Sequence, residues 1–135
     1  MFTRSPITGI GAGCYLAYHG GEMNVWFEAH NLYGELLGET GIVGAFAFCF
    51  FVFVVFRTIG DLRRLAPRVP DERDARLLLC VSEALLASYL LLLFEGLGGH
   101  NLYRYNWFFF AGILAACHRL AVTWSGARQP CAPSE

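Results

Sequence analysis

Thr40-Gly41-Ile42-Val43-Gly44-Ala45-Phe46-Ala47-Phe48-Cys49-Phe50-Phe51-Val52-Phe53-Val54-Val55-Phe56 runs seventeen residues without a charge. A membrane-spanning helix needs about 20 predominantly apolar residues, and the helix carrying this run is expected over 31–58. Two similar stretches follow. Leu77 to Phe94 is apolar apart from Ser82, Glu83 and Ser88. Tyr105 to Cys117 is uncharged and extends to Trp124, with His118 and Arg119 snorkelling towards water. The expected fold is an all-α, polytopic integral membrane protein with three transmembrane helices, 31–58, 77–95 and 105–124. Segments 1–30, 59–76, 96–104 and 125–135 are the intervening loops and the tail.

Composition agrees. Only 16% of the 135 residues are charged, against about 25% in a soluble domain, and the mean hydropathy is +0.44. The ten basic residues are all Arg and the net charge is −1, so no basic excess points to a nucleic-acid partner. Residues 1–20 hold one Arg and no continuous apolar core, so this stretch is not expected to be a cleaved signal peptide.

Arginines set the orientation. Arg57, Arg63, Arg64, Arg68, Arg73 and Arg76 gather around 57–76, whereas 95–104 holds only Arg104. The positive-inside rule puts 57–76 and the C-terminal tail in the cytoplasm, with 1–30 and 96–104 facing outward. Ser5-Pro6-Ile7-Thr8-Gly9-Ile10-Gly11-Ala12-Gly13 reads as the middle of a loop, so the chain is expected to be a piece of a longer protein.

Several features carry little chemistry. The five cysteines (14, 49, 80, 117, 131) contain no C-x-x-C pair, and no disulfide framework or metal site is legible. Cys49, Cys80 and Cys117 are expected as buried apolar filler. Gly9-x-Gly11-x-Gly13 lacks the third glycine of a dinucleotide fingerprint, since Cys14 stands there; a flexible turn on the outer surface is expected. Glu83, inside the second span, is expected to pair with Arg57 or with a further helix.

The entry to the first span is richer. Asn31 is an N-cap candidate beside His30, at a helix end that favours anions such as phosphate. At about 100° per residue, Asn31, Glu35 and Glu39 form one polar edge. Gly34, Gly38, Gly41 and Ala45 form a smooth edge suited to another helix. Acidic residues inside a span usually face a bundle interior or a cavity, so these helices are expected to belong to a larger bundle.

His30-Asn31, nine residues, then Gly41-x-x-Gly44 resembles the H-N-x9-G-x-x-G pattern of the O-antigen ligase superfamily. That superfamily includes O-antigen polymerases and protein O-oligosaccharyltransferases. Pro6 to Gly13 is similar to the P-x-x-G-x-G-x-G run that precedes this His in the family, and Glu95-Gly96-Leu97 with Trp107 to Cys117 resembles its C-terminal end. The resemblance covers most of the chain and is specific at 30–44.

The resemblance implies a glycosyltransferase of lipopolysaccharide and cell-envelope polysaccharide biosynthesis in the bacterial inner membrane, here its C-terminal part. Such an enzyme moves a glycan from a polyprenyl-diphosphate carrier to an acceptor hydroxyl, lipid A–core for the ligase, at the periplasmic face. No nucleotide, metal or other cofactor is required in that scheme. His30 is then the catalytic residue, a general base for the acceptor hydroxyl. Asn31, Glu35, His100 and Arg104 are substrate-side candidates, and Gly34, Gly38, Gly41 and Gly44 are structural. His100-Asn101-Leu102-Tyr103 repeats the His30-Asn31-Leu32-Tyr33 tetrapeptide before the third span but lacks the spacing, Gly112 coming one residue late. A polymerase, a protein oligosaccharyltransferase and a non-catalytic remnant or small accessory membrane protein are the competing readings.

Overall fold

The computed structural model describes residues 5–14, 17, 31–99, 102 and 104–126. Regular structure among them is helical: α1 (Leu32–Leu65), a short 3-10 turn (Ala66–Arg68), α2 (Glu72–Glu95) and α3 (Asn106–Gly126). Each of the three long helices is long and apolar enough to cross a membrane, so the described residues form an all-α protein with three candidate spans among them. Their outer faces carry large apolar side chains such as Phe46, Phe50, Phe94 and Phe108, each at least 60% exposed. In water such a surface would be untenable; in a bilayer it faces acyl chains.

The first span runs further than expected. Instead of ending near residue 58, α1 continues to Leu65, because Asp61 lies a helical turn from both Arg57 (3.9 Å) and Arg64 (3.6 Å). Pro67 and Pro70 then stop the helix. Helix α2 starts at Glu72, earlier than the expected 77, because Asp71 caps it: its Oδ1 accepts the N–H of Arg73 at 2.7 Å and of Asp74 at 3.2 Å. The segment between α1 and α2 is thus 66–71, shorter than the loop expected over 59–76.

The described chain divides into two compact units, 1–52 with 90–105, and 53–89 with 106–135. In the second, Tyr89 is fully buried and its hydroxyl donates to the Trp107 carbonyl at 2.8 Å. The two rings lie 5.9 Å apart, and the Phe110 ring meets Tyr89 edge-on at 6.2 Å. Glu83 pairs with Arg63 at 3.6 Å rather than with Arg57, whose own helix already supplies Asp61.

The cysteine expectation is corrected: Cys49 and Cys80 are exposed and Cys117 is half-buried. A weakly polar thiol on a lipid-facing helix surface needs no protein around it.

Candidate functional site

The first unit holds the signature. Helix α1 begins at Leu32, whose N–H donates to the Gly96 carbonyl at 2.8 Å. The Asn31 Oδ1 accepts the Gly34 N–H at 2.5 Å, satisfying one of the orphan donors of the first turn. Gly34 has no side chain to foul this cap, since a Cβ there would sit 2.8 Å from Oδ1. The Tyr33 hydroxyl donates to the Leu93 carbonyl at 3.1 Å. Leu32 is fully buried and lies over Gly96, where a Cβ would come within 2.9 Å of its side chain.

Ten residues on, the helix breaks. Gly41 has φ 65° and ψ −162°, a conformation essentially restricted to glycine. In an unbroken helix the N–H groups of Ile42 and Val43 would bond the carbonyls of Gly38 and Glu39. Here the Ser5–Gly13 segment takes all four groups. Ile42 N–H donates to Pro6 O (3.0 Å) and Val43 N–H to Ile7 O (3.2 Å), while Gly38 O accepts from Ile10 (3.2 Å) and Glu39 O from Gly11 (2.9 Å). Two helical bonds are thus exchanged for four with the segment. A broken span is tolerated where its freed groups are satisfied in this way.

The glycines permit this approach. A Cβ on Gly9 would overlap the Glu39 carbonyl, and one on Gly41 would lie 2.5 Å from Ile7 O and 2.6 Å from Gly9 N. Gly44 faces Thr40, whose side chain would occupy the same space as a Cβ and whose hydroxyl donates to the Leu36 carbonyl at 2.6 Å. The glycine run is therefore not a free turn: Gly9 is buried and the segment is docked. The smooth edge of α1 likewise receives this segment at Gly38 and Gly41, where a second helix was expected, because only bare backbone can reach the broken turn.

The polar edge becomes more buried along its length. Asn31 is exposed, Glu35 half-buried and Glu39 1% exposed, and Glu39 Oε2 accepts the Gly13 N–H at 2.7 Å. The break falls at the start of the charge-free run Thr40–Phe56, which spans about 25 Å of a hydrocarbon core of about 30 Å. The docked segment thus joins α1 at one end of its charge-free run.

Of the remaining candidates, Arg104 is exposed and lies 3.7 Å from Glu95, in the same unit as Asn31. His30 and His100 lie outside the described residues. Among the described residues no three His, Cys, Asp or Glu side chains gather as a metal site. Sequence reasoning missed the role of Glu39 in holding the glycine run; the signal was a buried-edge acid next to a glycine in a sequence that also carries G-x-G-x-G.

No protein-family model matches this chain, and no curated protein or solved structure does either.

Proposed function

We propose that this chain is the C-terminal part of an O-antigen ligase-type glycan transferase. It moves a polyprenyl-diphosphate-linked glycan to an acceptor hydroxyl, lipid A–core, at the periplasmic face of the bacterial inner membrane. One observation carries the reading: the two separated parts of the motif, Pro6–Gly13 and Gly41-x-x-Gly44, meet as a single hydrogen-bonded unit. A chance motif match has no reason to join its distant halves. The unit fixes the half-helix Leu32–Thr40, whose N-terminal end adjoins His30.

The chemistry fits that address. A sugar hydroxyl is a poor nucleophile, and a His near pH 7 can take its proton as attack begins. The departing diphosphate needs N–H donors or a guanidinium, and Arg104, exposed in the same unit as Asn31, supplies the guanidinium. A lipid-linked donor requires a site at the membrane–water boundary.

The product identifies the reaction. Loss of the gene is expected to leave carrier-linked glycan accumulating and lipid A–core bare, with both reversed by the wild-type gene. Glycan missing from protein instead, or polymer shortened on the carrier, moves the assignment to the oligosaccharyltransferase or the polymerase; an unchanged envelope refutes a transferase.

The orientation has its own check. With the other four cysteines replaced by alanine, exposed Cys14 is expected to react with an impermeant maleimide in intact spheroplasts. In a chain without Cys14, Glu72→Cys is expected to react only after permeabilisation. The reverse pattern places the His30 side in the cytoplasm, where this donor chemistry does not occur.

A further inference from the structure

We infer that Glu39 is a positioning residue for the transfer reaction: its carboxylate holds the Ser5–Gly13 segment in the break of α1 and thereby fixes the half-helix that carries the His30-Asn31 entry. The inference rests on the transferase reading for its functional half and on geometry alone for its structural half.

Glu39 grips the segment twice. Its carbonyl accepts from Gly11, as any residue's would, but only an acceptor side chain can also take the Gly13 N–H, at 2.7 Å. A carboxylate at 1% exposure beside an apolar span is costly to keep. A charge-assisted bond to a backbone N–H offsets part of that cost, and simple packing would have been served better by Leu. The opposite end of the half-helix is also tied, at Leu32 to the Gly96 carbonyl and at Tyr33 to the Leu93 carbonyl. Nine residues of helix, about 13 Å long, therefore stand between two anchors, and displacing either one moves the other. Shifts of about 1 Å in a reacting group can cost about a hundredfold in rate.

Two substitutions separate the roles. Glu39→Gln keeps an acceptor oxygen in the same place; Glu39→Leu keeps volume and loses it. In the full chain in nanodiscs, amide hydrogen exchange across residues 9–14 is expected to be as slow in Glu39→Gln as in wild type, and about tenfold or more faster in Glu39→Leu. Transfer is measured with the same substitutions in the full-length parent protein, at matched protein levels, in membranes holding radiolabelled polyprenyl-diphosphate-linked glycan and lipid A–core. It is expected to fall about 10- to 100-fold in kcat for Glu39→Leu with KM little changed, and to stay within about threefold for Glu39→Gln.

Unchanged exchange in Glu39→Leu overturns the inference. Faster exchange with undiminished transfer overturns its functional half. Loss of transfer in Glu39→Gln with protection intact also overturns it, because the charge and not the acceptor would then matter. If wild type itself transfers nothing, the transferase reading fails, and the exchange measurement still decides whether Glu39 holds the segment.

Discussion

Gly41→Ala is expected to release the Ser5–Gly13 segment and to let α1 close into a continuous helix. Two penalties act together. An alanine at φ 65°, ψ −162° costs about 1–3 kcal/mol in backbone strain. Its Cβ would also lie 2.5 Å from Ile7 O and 2.6 Å from Gly9 N, both backbone atoms that cannot rotate away. Closing the helix recovers the two bonds to Gly38 and Glu39, so the segment loses its four partners while the helix loses none. A local shift of about 3 kcal/mol is about a hundredfold in the docked population, read as faster amide exchange across 5–14. Gly9→Ala is expected to act likewise from the other side, against the Glu39 carbonyl. Gly44→Ala is no neutral control, because its Cβ would overlap the Thr40 Cβ, an atom that no rotamer change moves; Ile42→Ala alters a side chain that is 54% exposed and should shift exchange much less. Protection unchanged in Gly41→Ala would show that the break is not what holds the segment.

The contrast explains what could be read from the sequence. The three spans were legible because a bilayer demands long apolar runs, and the 100° spacing of Asn31, Glu35 and Glu39 gave the polar edge without coordinates. Their ends were harder. Helix α1 outlasts its apolar run because Arg57, Asp61 and Arg64 continue the helix in charge, and hydropathy does not register that. The Gly41 break was not legible at all. A glycine within a seventeen-residue apolar run looks like ordinary helix until a partner strand of backbone is known, and that partner lies some thirty residues upstream.

Burial expectations failed in an instructive direction. Cysteine is among the residues most often found inside soluble proteins, yet Cys49 and Cys80 face outward, since the apolar surroundings of a span lie outside it. Glycine spacing was read as a helix-packing surface for the same kind of reason: small residues license any close backbone approach, and spacing alone does not say whose backbone comes. The Asn31 cap and the close approach at the glycines were legible as a pattern, while the use of Glu39 depended on geometry.

Substituting His30 tests the functional account most directly. In the full-length parent at matched protein levels, His30→Ala is expected to lower glycan transfer to lipid A–core by about 10²–10⁴-fold, the usual contribution of a general base, with carrier-linked glycan accumulating. Exchange across residues 5–14 is followed in the same samples, so that release of the docked segment is told apart from loss of a general base. His118→Ala, on the third span, should transfer at the wild-type rate. Asn31→Asp keeps the cap on Gly34 but sets a fixed negative charge where a diphosphate would approach, and is expected to weaken donor use. Transfer at the wild-type rate by His30→Ala would contradict the account and leave His30 as no more than the residue beside a helix cap.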